Sequence, residues 1–319
     1  MEVTVAFIVV NWNKREVLAN CLDSIRRFLA VLPHQIIVVD NGSSDGSQAM
    51  VESRYPAAVL LRNAENLGFA KANNQALGLI RERRLAFDYI VFMNNDVVLV
   101  DQSLATLIEF MGKNDTVAGA IPAVFLDDSS FQTGIGGFEL SLGTAFFYFS
   151  FLTRLFPSAC KGLFIHQPYF FKRKQTCRLD WLSGVCLVVR RDALEATAGF
   201  PEDFFMYAED LALCRELRRQ GELVYYPRAR VRHLKANRPK GQENDLWLES
   251  LFRYYRKNRP QLGSSFELFL LKSIFFLGFL VRAAGYQILA CGGRPDSRWK
   301  RNELWFYAKS SLARLVEPA

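Results

Sequence analysis

The sequence predicts an α/β protein with a mainly parallel central sheet flanked by helices, followed by a helical extension. Three observations predict it. Short β-branched, apolar runs alternate with helix-period segments over residues 3–125. Asn and Asp residues collect where those runs end. Beyond residue 240 the chain turns basic and apolar.

The elements follow in order. VTVAFIVV (3–10) is continuously apolar, as a strand covered on both faces is. Leu18, Leu22, Ile25 and Leu29 recur at helical spacing. QIIVVD (35–40) is a second buried strand, and NGSSDGS (41–47) is a turn cluster leading into a short helix. AVLL (58–61) is a third strand, 68–80 a helix, and YIVFM (89–93) a fourth strand that ends at Asn94-Asn95-Asp96. A helix over 102–112 and an apolar segment over 117–125 follow. Alternation of this kind makes βαβ units, whose ligands bind at the carboxyl ends of the strands.

The stretch 126–178 is less regular, with glycines at 134, 136 and 137 and an aromatic run at 146–151. Glu139 and Arg154 enclose only 14 residues, too few to span a bilayer, so this reads as core or lid. WLSGVCLVVRRDAL (181–194) reads as a strand entering a helix. In 199–221, Leu213, Cys214 and Leu217 form the core stripe of a helix ended by Gly221. ELVYYP (222–227) and VRHL (231–234) read as two short strands.

The tail is predicted to be helical. FELFLLKSIFFLGFLV (266–281) is apolar, but only nine uncharged residues separate Lys272 from Arg282. An in-plane amphipathic or re-entrant helix fits better than a spanning one, with Trp299 and Trp305 suited to the headgroup layer. Residues 1–240 are expected to form one domain in two halves, 1–125 and 126–240, which the family resemblance described below implies to be a donor-binding and an acceptor half. Residues 241–319 are expected to form a basic, apolar extension at a membrane surface.

Composition narrows the function. The chain of 319 residues is half apolar, with a formal charge of +8 and a pI of about 9.2. The excess lies in the second half, at Lys172, Arg173 and Lys174, from Arg228 to Lys240, from Arg253 to Arg259, and from Arg294 to Arg301. Such a balance favours phosphates or an acidic leaflet. The basic residues are scattered and no recognition motif appears, so nucleic acid is not an expected partner. The six cysteines have neither zinc nor C-x-x-C spacing, and strand-like sequence follows Met1 almost at once. A reducing compartment and no leader are therefore expected. The usual glycine-rich phosphate loops, HExxH and G-x-S-x-G are absent.

Several polar residues are candidates for chemistry. Asp40, at a strand end, can accept hydrogen bonds from a base or ribose; alone it equally reads as a turn former. Asp96 can hold a hard divalent cation, or cap a helix. Glu209 and Asp210 open a helix, where they complement its dipole; a carboxylate there can also serve as general base. His233 can ligate a metal or contact phosphate.

With those residues in hand, the sequence resembles glycosyltransferase family 2, and within it a bacterial rhamnosyltransferase-like branch. The matching strings are FIVVNWN (7–13), VVDNGSSDGS (38–47), NLGFAKANNQAL (66–77), FMNNDV (92–97), WLSGVCLVVRRDAL (181–194) and GFPEDFFMYAEDLALCRELRRQG (199–221). They cover roughly residues 3–235. The resemblance implies a GT-A-type fold and an inverting transfer from a nucleotide-diphosphate sugar, dTDP-rhamnose or a UDP-sugar. The implied acceptor is a lipid-linked saccharide of cell-surface polysaccharide synthesis, met at the cytoplasmic face of a membrane. It implies that Val10, Asn11, Asp40 and Asn41 hold the nucleoside. Asn66, Gly68, Phe69, Lys71, Asn73 and Asn95 would line the donor pocket, with Gly184 near the donor sugar. Asp210 is implied as base with Glu209 beside it, and Asp96 and His233 as ligands of Mg2+ or Mn2+. One departure stands out: the family's acidic motif often carries two carboxylates, or Asn-Pro-Asp in this branch, where this chain has Asn94-Asn95-Asp96. A nucleotidyltransferase and a non-catalytic polysaccharide- or membrane-binding protein on the same scaffold are the alternatives. The first would want a glycine- and base-rich loop after the first strand, which Asn11-Trp12-Asn13-Lys14 is not.

Overall fold

The computed structural model describes residues 3–234, 245–258, 265–291 and 297–315. Lys235, Arg238, Lys240, Arg259 and Arg294 of the basic second half, and the division expected at 240, lie outside the described residues.

Along the chain run β1 (Val5–Asn11), α1 (Arg15–Phe28), β2 (His34–Asp40), α2 (Ser47–Arg54), β3 (Val59–Arg62), α3 (Gly68–Glu82), β4 (Tyr89–Asn94), β5 (Val97–Leu99), α4 (Ser103–Gly112) and β6 (Val117–Leu126). There follow β7 (Gly136–Gly137), α5 (Leu142–Phe149), α6 (Leu152–Leu155), α7 (Gln167–Lys172), β8 (Cys177–Leu179), β9 (Trp181–Leu182), β10 (Cys186–Arg190) and α8 (Arg191–Glu195). The chain closes with α9 (Glu209–Leu217), β11 (Glu222–His233), α10 (Leu246–Asn258), α11 (Ser265–Cys291) and α12 (Ser297–Leu315).

Two compact units emerge. The first comprises 1–137 and 166–236, the second 138–165 and 237–319. Residues 138–165, taken from sequence as part of the acceptor half, thus cluster with the C-terminal helices.

The first unit is built on one large sheet ordered β3-β2-β1-β4-β10-β6-β11-β5, with β8 on β11. Strands β3, β2, β1 and β4 are mutually parallel. β10 runs antiparallel between β4 and β6, while β6 and β11 are again parallel. The continuously apolar runs read in sequence are the central strands: Val5 to Val9 and Ile37 to Val39 are fully buried. Helices on both faces cause this, since a parallel sheet covered twice needs apolar residues on both sides. Helix α1 shows the matching stripe, burying Leu18, Cys21, Leu22 and Ile25.

The parallel register carries the strand ends to one edge. Asn11 pairs with Asp40, and Val10 with Asn94, so the polar ends of β1, β2 and β4 stand in a row. The two strands expected at 222–227 and 231–234 are one. Strand β11 stays paired to β6 throughout, but Tyr226 faces Pro122 while Arg230 faces Ala123. The residues between bulge out, which is how Pro227 is accommodated without a ladder donor.

In the second unit α11 is a single helix of 27 residues, continuous through Lys272 and Arg282. By length and composition alone, its Ser265–Ala290 stretch could cross a membrane. Phe149 of α5 packs edge-on against Phe275 and Phe279 of α11. A Cβ at Gly278 would lie 2.1 Å from the Phe149 ring, so glycine there permits the close approach. The five cysteines whose side chains are described are free thiols.

Candidate active site

The ends of β1, β2 and β4 form a hydrogen-bonded row. Asn11 Nδ2 donates to Asp40 Oδ2 at 2.9 Å, and Asn95 Nδ2 donates to Asn11 Oδ1 at 2.7 Å. The other Asp40 oxygen accepts from Ser43 N at 2.8 Å and Gln48 Nε2 at 2.7 Å. Asp40, Asn11 and Asn41 are each almost fully buried. A carboxylate at such a depth needs this many donors, because an unsatisfied buried charge is costly. Asn41 Nδ2 bonds Asn66 Oδ1 and Gly68 O, both at 3.1 Å, joining the β2 end to the start of α3. Val10 stands in the sheet between Val39 and Asn94, half-buried. Lys71 projects from the first turn of α3 and is exposed.

Asp96 lies in the β4–β5 turn. Its Oδ1 is 2.8 Å from His233 Nε2, at the end of β11. His233 Nδ1 contacts Gln132 Oε1 at 2.6 Å. The Gln132 amide thus holds the ring from its far nitrogen and leaves Nε2 facing Asp96. Orientation of a ring through its far nitrogen is how ligating histidines are held. Among the described residues, no three His, Cys, Asp or Glu side chains gather as a metal-holding group. A hard cation bound by a nucleotide diphosphate needs only one or two protein ligands. One carboxylate and one imidazole at contact distance fit that need, and Asp96 and His233 are the residues that would hold the ion.

Asp210 is tied to this row through backbone. Asn94 N donates to Val185 O at 3.1 Å, while the preceding Gly184 N donates to Asp210 Oδ2 at 3.2 Å. Two consecutive residues thus join the end of β4 to Asp210. A Cβ at Gly184 would stand 3.0 Å from the Phe69 ring, so glycine brings α3 close as well. The loop 199–208 is clamped onto α3: Asn74 donates to Phe200 O and accepts from Phe200 N, at 2.8 and 2.9 Å. Gly68 has φ +82°, and a Cβ there would meet Phe205 O at 2.6 Å. The loop ends in two consecutive left-handed residues, Tyr207 (φ 68°) and Ala208 (φ 66°). Non-glycine residues hold such angles only when their surroundings enforce them, commonly at functional sites. Glu209 and Asp210 follow directly in the first turn of α9.

Burial sets the electrostatics of that pair. It pushes the Glu209 carboxyl up to about 8, with the Asp210 charge as the next cause. It pushes Asp210 up to about 6, opposed by N–H donors from Gly184 and Leu211. Both carboxyls are thus held above the ordinary carboxylate range, with burial as the first cause. Glu209 Oε2 is buried without a hydrogen-bond partner, as is Asn73 Oδ1 on α3. Sequence reasoning missed Gln132, Ser43 and Gln48. The latter two sit within or beside the VVDNGSSDGS string; Gln132 lies in the irregular stretch and carried no signal.

An α/β sheet that gathers strand-end carboxylates beside a helix-borne acidic pair defines a class, the sugar-transferring enzymes of GT-A type. The chain belongs to glycosyltransferase family 2: the family model described as "Glycosyl transferase family 2" matches residues 6–195. It is a glycosyltransferase with rhamnosyltransferase relatives. It is 30% identical over 241 residues to the N-acetylglucosaminyl-diphospho-decaprenol L-rhamnosyltransferase of Mycobacterium tuberculosis (strain H37Rv), covering 67% of this chain and 72% of that protein. It is 26% identical over 208 residues to the rhamnosyltransferase WbbL of Escherichia coli (strain K12), covering 63% and 74%. The mannosyltransferase PcManGT of Pyrobaculum calidifontis, solved with GDP-Man and Mn2+, shares the fold with a TM-score of 0.54 at 16% identity. That match covers 98% of this chain and 86% of that one.

Proposed function

We propose that the chain transfers L-rhamnose from dTDP-rhamnose to a hydroxyl of a lipid-linked diphospho-saccharide, inverting the anomeric carbon. The sugar and the acceptor follow the two rhamnosyltransferase relatives, one of them named for an N-acetylglucosaminyl-diphospho-decaprenol substrate, and dTDP is the carrier that the rhamnosyltransferase-like resemblance implies. The observation that carries the reading is the Gly184-Val185 link, which sets Asp210 beside the strand end preceding Asp96.

In this reading Asp40, Asn11 and Asn41 hold the nucleoside. Val10 lies with them at the nucleoside, and Asn66, Gly68, Phe69, Lys71, Asn73 and Asn95 shape the donor pocket. Asp96 and His233 would hold Mg2+ or Mn2+, which when bound would neutralise charge on the diphosphate. Asp210 takes the proton of the acceptor hydroxyl as it attacks from the face opposite the diphosphate. Such help is worth about 10²–10⁴-fold in rate. Glu209 stands beside it in the first turn of α9. The first unit is the catalytic one. The second seats the enzyme on the cytoplasmic leaflet, where nucleotide sugars and the lipid-linked acceptor meet.

The test is direct. The full chain is incubated with dTDP-rhamnose, UDP-glucose or UDP-N-acetylglucosamine, with and without Mg2+ or Mn2+, and with N-acetylglucosaminyl-diphospho-prenol. Acceptor-dependent release of dTDP and a product of inverted configuration by NMR support the reading. Release of pyrophosphate, or transfer from a UDP-sugar alone, overturns it.

A further inference from the structure

Helix α11 carries an exposed apolar stripe along its whole length. Phe266, Leu277, Val281 and Ile288 are 65, 54, 60 and 74% exposed. Their spacing places them on one face, over about 33 Å at the rise of an α-helix. The charged residues of α11 are turned off that face. Glu267 accepts from Tyr255, Lys272 donates to Arg314 O, and Arg282 donates to Tyr148 O. The inner face, with Leu271, Phe275 and Phe279, is buried. Water-soluble chains rarely leave a continuous apolar strip of this kind uncovered.

The surface extends onto α6. Leu155 and Phe156 are 69 and 57% exposed. The α6 segment is held to α11 by Arg282, whose guanidinium lies 4.9 Å over the Phe151 ring beside Val281. Leu155 and Phe156 follow directly on the stretch that reads in sequence as core or lid, in which Ala145 and Phe149 are buried.

Side chains on α12 point to the occupant. On α12, Trp299 and Trp305 are part-exposed and Lys300 and Lys309 are exposed. Trp305 and Lys309, four residues apart, share one side of α12, a pairing that suits the headgroup layer, where a ring sits at the boundary and an ammonium meets lipid phosphate. Lys300, on the opposite side, lies over the Tyr286 ring at 5.8 Å. The formal charge of +8 favours an anionic leaflet.

Helix α12 also decides the orientation. It packs antiparallel along α11, with Phe279 against Tyr307 at 5.5 Å and Arg301 bonded to Gln287 at 2.8 Å. A spanning α11 would carry Lys300, Arg301, Glu303, Lys309 and Arg314 of α12 into hydrocarbon, where charged groups are costly. Lying flat, α11 immerses only its outer stripe.

We infer that the outer stripe of α11, with the exposed turn at α6, seats the second unit in the interfacial layer of an anionic leaflet, with α11 in the membrane plane. The inference rests on the proposed membrane-borne acceptor but is tested apart from it.

The full chain is floated with phosphatidylcholine vesicles, with and without phosphatidylglycerol. It is compared with Leu277→Glu/Val281→Glu, Leu155→Glu/Phe156→Glu and Lys300→Glu/Lys309→Glu, each matched for Tm and circular dichroism. Expected is flotation that needs phosphatidylglycerol. The bound fraction falls at least tenfold in the first two variants, and the preference for anionic lipid is lost in the third. Tryptophan fluorescence is quenched by lipid brominated near the headgroup, and Trp299→Phe/Trp305→Phe removes that quenching. The variants keep dTDP release with a short-tailed, water-soluble acceptor. Absent flotation, unchanged flotation in the variants, or quenching only at the bilayer mid-plane overturns the inference. So does a dimer in solution that Leu277→Glu/Val281→Glu splits, since a second copy would then cover the stripe. If the acceptor test fails while flotation stands, the acceptor reading falls and this inference does not. If a glutamate pair unfolds the protein, the lysine pair and the quenching depth decide.

Discussion

His233 Nε2 stands 2.8 Å from Asp96 Oδ1 across 137 residues of chain, and Gln132 holds the opposite nitrogen of the same ring. The turn after β4 and the end of β11 are thereby joined through one imidazole whose orientation is set from behind.

Asp96→Asn and His233→Ala are expected to weaken dTDP-sugar binding in the presence of Mn2+ and to leave its cation-free binding nearly unchanged. Gln132→Ala is expected to act in the same direction, since outer-shell partners of metal ligands typically cost about 10–100-fold. Isothermal titration with and without the cation checks this. Equal losses in both conditions would mean that the three residues contact the donor directly.

Asp210→Asn keeps the shape of the side chain and one of its two acceptor oxygens but removes the base. Its turnover is expected to fall about 10²–10⁴-fold while donor affinity barely changes. Near-normal turnover in a single-turnover assay would take Asp210 out of the proton transfer.

The pH profile follows from the same residue. Burial raises the Asp210 carboxyl to about 6, so the base is protonated, and activity lost, as pH falls below that value. A plot of kcat/KM against pH is expected to rise through about 6 and then level. An acid limb near 4 would show that the carboxyl is not desolvated in the working enzyme.

Stability should run the opposite way with pH. Glu209 is raised to about 8 when folded, mainly by burial, so between about 4.5 and 8 the folded state binds more protons than the unfolded. Unfolding free energy then decreases as pH rises across that window. Glu209→Gln, which cannot ionise, is expected to have a higher Tm than the parent, by a margin that widens from pH 5 to pH 8. A constant margin would place the carboxyl in water.

Gly68→Ala tests the packing of the loop over α3. The left-handed backbone alone costs an L-residue about 1–2 kcal/mol. The added Cβ would also stand 2.6 Å from Phe205 O. A Tm loss of several degrees is expected, with a rise in donor KM. Gly78→Ala, on the same helix with open space around it, is expected to leave Tm unchanged or raise it.

Much of the first unit is legible in the sequence because its physics is local. VAFIVVN and HQIIVVD are strands in any environment that covers both faces, and the turn residues after them punctuate the chain. The candidate polar residues were readable for the same reason, since a strand that is wholly apolar until its last residue marks the residue that ends it. Other features were not legible. Strand β10 enters between β4 and β6 because backbone pairing, not its own sequence, selects its neighbours. β11 reads as two strands because a bulge hides its continuity. Gln132 is invisible because its part depends on a histidine 101 residues away.

The sequence by itself determined the alternating strands and helices, the identity of the acidic residues and the apolar character of the tail. Each depends on side-chain chemistry and spacing within a few turns of chain. Only the tertiary structure decided which groups meet. It placed Gly184 against Asp210 and Gln132 against His233. It also turned the charges of α11 inward, leaving an uncharged outer stripe. Those outcomes depend on long-range packing, where the depth at which a carboxylate lies and the face a helix presents are set by residues far away in sequence.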